Sequence, residues 1–463
     1  MAIAVLPPGP KGRFFAGVFP DFSKDPPLFL LNVARQYGDI AFFTMGKQRL
    51  YLLNRPEYVQ DVLVTHNSKF QKSRIMQRAK ILLGEGLLTS EGQFHLRQRR
   101  LVQPAFHRQR IAGYAAAIVE CAERCAARWT SGETRDIAEE MMRLTLAIVA
   151  RTLFATEVEE DTEEIGRAMT DVLGMFNIML IPYTDFLQKL PLPAMRRFER
   201  ARTFLNKKIY SIINERRAGG DDRGDLLSML LLAQDEQAGQ ADGGTMTDTQ
   251  VRDEALTLFM AGHETTANAL TWTWFLLSQH PDVERRLHDE LQTVLGGRSP
   301  DFDDLPQLSY TEMVFAESMR LYPPAWAISR LAVQDYEIAG YQIPTGSLCM
   351  MSAYVMHRNP EYFPDPERFD PERWTLEAKN RRPKFSYFPF GGGPRMCIGE
   401  RFAWTEGILV LATIAQLWQM CLDPGQRVAH RAQITLRTRY GMRMQLTKNP
   451  TAGHATAAER RLS

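Results

Sequence analysis

The 463-residue chain carries 56 Lys and Arg against 54 Asp and Glu, and 44% of its residues are apolar. This balance excludes a disordered, collagen-like or disulfide-dense chain, and the small net charge favours neither nucleic acid nor an acidic polymer as a partner. The length permits two or three average domains, but no linker, repeat or low-complexity block divides it, so we expect one domain over residues 1–447.

The chain ends and the cysteines indicate where the protein works. The apolar start is followed at once by Pro7-Pro8-Gly9-Pro10, far short of the roughly 20 residues that cross a membrane. The five cysteines are odd in number and include no Cys-x-x-Cys pair, which is typical of free thiols in a reducing compartment. We therefore expect a cytoplasmic protein without a membrane anchor. The small and polar residues 448–463 predict a mobile tail.

Helical patterns dominate the chain. Apolar residues at three-to-four spacing predict helices over Ile137–Phe154 and over 197–217. Strand patterns are few and short, and they cluster near 40–53 and in 336–351, where glycine and proline punctuate apolar, β-branched and aromatic runs. The predicted fold is mainly α with a small β region.

One predicted helix is unusually long. It begins at the capping-box pattern Thr247-x-x-Gln250 and continues without proline to His280, because Pro281 follows. Residues 255–277 are apolar nearly all round, which predicts burial through the centre of the protein, with a membrane span as the weaker alternative. Gly262 and the polar run 263–266 interrupt the pattern. We expect the helix to loosen there and to present polar atoms to a bound group.

A cysteine in a glycine-rich loop carries the strongest chemical signal. The loop reads Phe390-Gly-Gly-Gly-Pro-Arg-Met-Cys-Ile-Gly399, and residues 401–417 after it predict a helix. Glycines let a backbone lie flat against a bulky group, and a helix N-terminus stabilises the thiolate that binds metal. A lone cysteine is more often an inert buried thiol. The whole pattern, however, resembles the haem-binding signature of the cytochrome P450 superfamily.

This resemblance covers about residues 7–446 and implies the cytochrome P450 fold, with the long central helix over a haem b group. It implies that Cys397 is the axial iron ligand, in a loop formed with Phe390, Gly391 and Gly399. Thiolate ligation favours cleavage of the O–O bond of dioxygen. The residues that it assigns to the haem propionates are Arg395, His95, Arg99 and Arg330. Without the resemblance, His95 would be interpreted as a surface histidine.

A second motif, Glu317-Ser-Met-Arg320, places two charges on one helical face. Alone, it would be interpreted as a solvated surface pair. In the family it forms a structural triad with a second arginine, and two overlapping segments supply candidates. We choose Arg373 because Phe-Asp-Pro precedes it, which leaves Arg368 as an ordinary solvated residue.

The segment Ala261-Gly-His-Glu-Thr265-Thr resembles the oxygen-activation motif of the family. By that resemblance Thr265 supplies a hydroxyl and Glu264 an acid for delivering protons to reduced dioxygen. The alternative for Thr265 is a hydroxyl bonded to a carbonyl one turn earlier. His263 is expected to be only a neighbour. The acid–alcohol pair implies a monooxygenase that consumes dioxygen and electrons.

The expected substrate is a hydrophobic small molecule, because family positions facing the pocket are mostly apolar or small here. Besides the loop before His95, these positions are Phe259, Ala261, Ala325, Trp326, Ile328 and Leu436. Segments 84–90 and 434–437 resemble those of members that act on fatty acids and terpenoids, with steroids as a further class.

Electrons are expected from a separate ferredoxin or flavodoxin and its reductase, since the length leaves no room for a flavin or iron–sulfur domain. Arginines that the family places on the proximal side would steer such an acidic partner, although ordinary solvated arginines are the equal alternative. They are Arg97, Arg100, Arg108, Arg110 and Arg401. Rival functions are a peroxygenase or isomerase without electron input, and a non-catalytic haem protein that binds a gas. The Glu264-Thr265 pair disfavours both.

Overall fold

The computed structural model describes residues 6–155, 162–179, 193–219, 223–233 and 244–449. The α-helices in these ranges are α1 Phe19–Phe22, α2 Pro26–Tyr37, α3 Pro56–Gln60, α4 Arg74–Arg78, α5 Lys80–Leu83, α6 Gly92–Val102, α7 Arg108–Ala127, α8 Ile137–Phe154, α9 Thr162–Met179, α10 Pro193–Gly219, α11 Leu226–Leu232, α12 Asp248–Gln279, α13 Pro281–Leu295, α14 Ser309–Leu321, α15 Ala353–Met356, α16 Leu376–Arg381 and α17 Glu400–Leu417.

The strands are fewer and shorter, as the sequence predicts. They are β1 Ile40–Met45, β2 Gln48–Leu53, β3 Phe70–Lys72, β4 Thr134–Asp136, β5 Ile328–Ala332, β6 Tyr336–Ile338, β7 Tyr341–Ile343, β8 Leu348–Met351, β9 Trp418–Leu422, β10 His430–Ala432, β11 Leu436–Thr438 and β12 Arg443–Lys448. A π-helical turn occupies Asp61–Thr65. No helix in the described part of the chain combines the length and the apolar character that crossing a membrane requires.

The largest sheet has the strand order β1-β2-β8-β5-β3. Strands β1 and β2 form an antiparallel hairpin, and β2 pairs with β8 in parallel. The antiparallel pairing of β3 with β5 sets Lys72 opposite Arg330. This register brings together two cations that lie far apart in sequence.

Helix α12 runs through the core, as predicted from its apolar pattern. Thr247 caps it in a complete capping box with Gln250, and it extends unbroken through residues 262–266. The expected loosening at Gly262 is therefore wrong. A Cβ atom at this position would lie 3.1 Å from Cγ2 of Val149 on α8. Gly262 fits the close approach of the two helices, since a larger side chain would require the Val149 side chain to shift.

The predicted C-terminal tail begins too early. Lys448 pairs with Trp418 as the last residue of β12, and the Asn449 side chain donates to the carbonyl oxygen of Ala415 at 3.2 Å. Residues 450–463 lie outside the described residues.

Candidate active site

The Cys397 loop is closed by its own backbone. The N–H of Cys397 donates to the carbonyl oxygen of Phe390 at 3.0 Å, and α17 begins three residues later. Gly391 and Gly393 have φ angles of 74° and 69°, a left-handed conformation that glycine adopts most readily. A Cβ atom at Gly393 would collide with the carbonyl oxygen of Leu63 in the π-helical turn. The glycines thus permit a shape that other residues would prevent.

The Cys397 side chain is accessible at the surface of this loop. Although the side chain is accessible, the protein atoms packed around the thiol reduce its solvation and raise its pKa, whereas the Gly399 N–H and the Arg99 guanidinium lower it. Arg99 also donates from Nη1 to the carbonyl oxygen of Met396 at 2.7 Å, so it is fixed beside the loop. Because a bound metal cation deprotonates a coordinating thiol, this accessible thiol suits iron ligation.

A cluster of cations lies next to the loop. Lys72, Arg330 and Arg395 influence one another, and Arg395 pairs with Glu91. Burial, followed by repulsion from Arg395, lowers the pKa of Lys72 to about 7 and that of Arg330 to about 10. The carboxyl groups that act on these three cations are Glu91 and Glu254, and burial raises the pKa of Glu254 to about 8. The cluster therefore fits a further buried group with more than one negative charge.

His95 faces the same cluster and is buried, which contradicts its interpretation as a surface histidine. Its Nδ1 lies 3.3 Å from the Ser90 hydroxyl, and its Nε2 has no hydrogen-bond partner within the described ranges. Burial, and then the charge of Lys72, lowers its pKa to about 4. A neutral imidazole with a free nitrogen can donate to an anion.

These residues fit a haem group. Cys397 would hold the iron, and His95, Arg330, Arg395 and Lys72 would face the propionates. Sequence reasoning missed Lys72, whose Nζ donates to the carbonyl oxygens of Leu87 at 2.6 Å and Ser90 at 2.8 Å. The signal that could have found it is a lysine at an inward-facing position of a strand. Such a position is normally occupied by an apolar residue.

Helix α12 is buried over most of its surface but has one narrow accessible face. Ala261 is exposed and Thr265 half-buried, and the Thr265 hydroxyl donates to the carbonyl oxygen of Ala261 at 2.8 Å. The bond to the preceding turn is therefore present. At roughly 100° per residue, Leu258 shares this face, whereas Phe259 points about 120° away. Phe259 packs against Phe154 of α8 at 5.7 Å between ring centroids, and its place in the substrate pocket stays a prediction.

Glu264 points away from Thr265, about 100° around the helix. It is buried, accepts from Nε of Arg437 at 2.5 Å, and accepts from the Thr435 hydroxyl. A buried acidic side chain requires hydrogen-bonding partners of this kind. The sequence did not reveal either partner of Glu264, because both lie more than 160 positions away from it in the chain. His263 packs against α8, where its carbonyl oxygen accepts from Thr145.

The second motif forms a buried ion-pair cluster. Arg320 contacts both carboxylate oxygens of Glu317 at 2.8 Å, and both side chains are 0% exposed. Nε of Arg373 lies 3.3 Å from Glu317, whereas Arg368 is exposed. The structure thus brings together the three residues chosen from sequence. Trp374, which the sequence did not single out, donates to Glu317 from Nε1 at 2.9 Å.

The other predicted pocket residues separate into two groups. Ala325, Trp326 and Ile328 belong to a half-buried run, and the Ile328 side chain approaches Gly391 of the cysteine loop. Leu436 is fully buried and accepts at its carbonyl oxygen from Nε1 of Trp272 at 3.0 Å. Its position is explained by core packing.

The predicted basic patch is only partly accessible. The Arg108 guanidinium lies over the Phe302 ring at 5.7 Å, and Arg110 donates to the carbonyl oxygen of Gly224 at 3.5 Å. Arg97 donates to the carbonyl oxygen of Thr245. Arg100 on α6 and Arg401 on α17 have exposed side chains.

One buried carboxyl near the site is expected to make stability depend on pH. Neither oxygen of Glu406 on α17 has a hydrogen-bond partner in the described part of the protein. Burial raises its pKa to about 8, a value that already includes a smaller lowering effect of the neighbouring Thr266 hydroxyl. Folding thus disfavours ionisation, and the cost is absent below the ordinary pKa of 4.5 and grows as the pH rises to about 8. Glu406→Gln should raise the melting temperature by roughly a few °C at high pH and little at pH near 5.

Thermal unfolding at several pH values measures this difference. Glu377→Gln on α16, where the carboxylate is exposed and paired with Arg381, is the control and should show no such dependence. An equal effect of Glu406→Gln at both ends of the pH range would contradict the raised pKa.

Comparisons with known proteins agree on one family. The family model described as Cytochrome P450 matches residues 7–438. Cyclooctatin synthase of Streptomyces melanosporofaciens is 43% identical over 412 residues, which cover 89% of each chain. Pentalenene oxygenase of Streptomyces avermitilis is 37% identical and covers 91% of this chain and 93% of its own. Cyclooctat-9-en-7-ol 5-monooxygenase of Streptomyces melanosporofaciens is 40% identical, with 86% of each chain covered.

Solved structures give the same result for the fold. The haem domain of cytochrome P450DA superposes with a TM-score of 0.86 at 26% identity, covering 97% of this chain and 99% of its own. The retinoic acid-bound cyanobacterial CYP120A1 superposes with a TM-score of 0.85 at 25% identity, covering 96% and 100%.

Proposed function

The chain belongs to the cytochrome P450 family, and from this premise we propose that it hydroxylates a terpenoid on haem b held by Cys397. It is a haem-thiolate monooxygenase, an oxidoreductase that uses dioxygen and acts on a hydrophobic small molecule. The observation that supports the site assignment is that the accessible Cys397 sulfur lies beside a cluster of cations that the nearby carboxylates do not fully neutralise. The reducing state that free cysteines suggest supports a cytoplasmic location.

Different residues of the chain have different roles in binding the cofactor. Thiolate-ligated haem, when bound, activates dioxygen for insertion of one oxygen atom into the substrate. Cys397 holds the iron, while Arg330, Arg395 and Lys72 neutralise the propionates and His95 donates from Nε2. The glycines at 391–393 let the loop pack closely against Ile328, Phe385 and Leu63, where a Cβ atom would have little or no room.

Thr265 is proposed to hold a proton at Oγ1 for the reaction. Its hydroxyl donates to Ala261 in the structure and can rotate while remaining on the accessible face of α12. Glu264 is the nearest carboxylate in sequence, but it is bound to Arg437 and Thr435. To relay a proton toward Thr265, the Glu264 carboxylate must first leave these partners and take up a proton from water. The bonds to Arg437 and Thr435 therefore oppose the relay until the side chain moves.

Replacing Thr265 with alanine is expected to uncouple oxygen consumption from product formation. Loss of the hydroxyl removes the positioned proton donor, worth about 10²–10⁴-fold in general acid catalysis, so less product forms per dioxygen and more hydrogen peroxide is released. Product, dioxygen and peroxide are measured together. Thr271→Ala is a matched control, because its hydroxyl makes the same bond one turn back, to Ala267 at 2.7 Å, from a buried position. Equal coupling in the two variants would contradict the role of Thr265.

The terpenoid assignment is supported by relatives named for cyclooctatin and pentalenene chemistry over nearly the whole chain. It favours terpenoids over the fatty acids and steroids that the sequence also allowed. The test is a panel of cyclic terpene hydrocarbons and alcohols, fatty acids and steroids, scored by the spin-state change of the haem on binding. Terpenes should produce the change at the lowest concentrations. A response to fatty acids alone would overturn the assignment, and turnover with peroxide alone would favour the peroxygenase alternative.

A separate ferredoxin or flavodoxin with its reductase is the proposed electron source. Arg100→Glu with Arg401→Glu should raise the apparent Michaelis constant for the partner by about tenfold or more at low salt, because surface charges steer association of an acidic partner. The rate at saturating partner should change less. Arg285→Glu on α13, an exposed arginine outside this group, is the control. Unchanged kinetics in the double variant would contradict the patch.

A further inference from the structure

Two adjacent phenylalanines near the start of the described chain are unusually exposed. Phe14 and Phe15 are each 88% exposed, more than any other large apolar side chain in the described ranges. Their rings contact each other edge to face, with centroids 4.4 Å apart. Single exposed apolar residues are common on protein surfaces, but a contiguous aromatic pair usually marks an interaction site.

The backbone that presents these rings is fixed to the β1–β2 hairpin. Arg13 and Gly17 exchange two backbone hydrogen bonds of 2.9 Å, and Gly46 in the hairpin turn donates to the carbonyl oxygen of Ala16 at 3.1 Å. The next residue, Val18, donates to the carbonyl oxygen of Thr44 at 2.8 Å. The rings therefore project from a defined turn, and binding through them would cost little backbone entropy.

Phe15 also adopts an unfavourable backbone conformation. Its φ angle is 67°, in the left-handed region that bulky side chains rarely occupy. Strain of this kind persists where the surroundings enforce it, and it often accompanies a functional surface. Within the protein the exposed ring gains no burial that would offset this strain.

Three exposed cations belong to this turn or to the hairpin turn that is hydrogen-bonded to it. The side chains of Lys11 and Arg13 are exposed on either side of Gly12, and Lys47 is exposed in the hairpin turn. Asp21 contacts Arg13 only at 3.9 Å and is more closely paired with Lys24 at 3.0 Å. We name Lys11, Arg13, Phe14, Phe15 and Lys47 the aromatic tip. Its surface combines apolar rings with a positive rim.

We propose that the aromatic tip binds the surface of a membrane that contains anionic lipids. Aromatic rings partition into the headgroup region, and lysine and arginine beside them attract lipid phosphates. This mode of binding needs no helix that spans the membrane, because the rings enter only the interface. An acidic lipid surface complements both properties of the tip, and the contact is independent of the substrate.

Vesicle sedimentation with the haem-loaded full chain tests the proposal. The protein should bind vesicles of equal parts phosphatidylcholine and phosphatidylserine and bind pure phosphatidylcholine more weakly. Phe14→Ser with Phe15→Ser should weaken binding by roughly tenfold or more, since each ring then forfeits its transfer from water. Lys11→Glu with Arg13→Glu should weaken binding to the anionic vesicles and leave the weaker binding to phosphatidylcholine unchanged.

Leu376→Ser is the matched control, because Leu376 on α16 is 76% exposed and lies outside the tip. It should bind vesicles as the parent does. Retained carbonyl spectra show that each variant is folded. The proposal is overturned if the parent binds neither vesicle, if the double serine variant binds like the parent, or if Phe14 and Phe15 mediate only self-association in sedimentation velocity.

Discussion

Replacing Cys397 with histidine is expected to abolish the red-shifted absorption band that carbon monoxide gives with reduced, thiolate-ligated haem. Imidazole does not donate the electron density that a thiolate pushes onto iron, so the band should move to the shorter wavelength of histidine-ligated haem. Monooxygenase turnover should fall by about a hundredfold or more, because without the thiolate the barrier to O–O cleavage rises. Each 1.4 kcal/mol added to that barrier costs about tenfold in rate. Absorption spectra of the reduced protein with carbon monoxide give the first result directly.

Cys421→Ser supplies the control, because Cys421 is an exposed thiol on β9 outside the loop. It should retain both the band and the activity. Survival of the red-shifted band in Cys397→His would remove Cys397 as the ligand. Loss of haem from this variant, with the band absent, would still support Cys397 as a residue that holds the group.

Patterns within one segment were sufficient to predict the main elements. The capping box at Thr247 and the apolar run after it predicted α12, and the Cys397 loop predicted the start of α17, because each depends on residues close in sequence. The fold class followed from the dominance of such helical patterns. The accessible face of α12 was harder to predict, because the helix is apolar nearly all round and its pattern does not say which side faces outward.

Contacts between distant segments escaped sequence reasoning. Lys72 meets Arg330 only through the β3–β5 register, and Arg437 reaches Glu264 from the far end of the chain. Gly262 gave a misleading signal, because a helix–helix contact and a functional distortion both favour a small residue. Among the residues that the sequence assigned correctly in space, Glu317 and Arg320 belong to a motif whose spacing is itself the geometry, whereas Arg373 was placed beside them by the family resemblance.

Arg320→Met is expected to be among the most damaging substitutions in the chain. The Arg320 guanidinium binds Glu317 and also donates to the carbonyl oxygens of His357 at 2.9 Å, Pro366 at 2.6 Å and Arg368 at 2.9 Å. Its loss leaves a carboxylate buried without its main partner, which costs about 3–5 kcal/mol. This is a large fraction of the roughly 5–15 kcal/mol that stabilises a folded protein. The yield of haem-loaded protein, read from the carbonyl spectrum, should collapse.

Arg368→Met is the matched control, since only the backbone of this exposed residue contacts the cluster. Arg320→Lys should fall between the two, because lysine keeps the charge but loses the bidentate contact. Glu317→Gln should be milder than Arg320→Met, because one amide oxygen remains to accept from Trp374. Similar stability and haem content in Arg320→Met and Arg368→Met would contradict a structural role for the cluster.

The cluster also reaches the cysteine loop through neutral His357. Burial, and then the charge of Arg320, holds the pKa of His357 well below its ordinary value, so its Nε2 accepts from the N–H of Phe388 at 3.1 Å. The carbonyl oxygen of Phe388 in turn accepts from the N–H of Gly391 at 3.0 Å. If this chain of bonds positions the loop, Arg320→Lys protein that remains folded should show a weakened thiolate band and faster haem loss. A normal band and normal haem retention would restrict the cluster to stability alone.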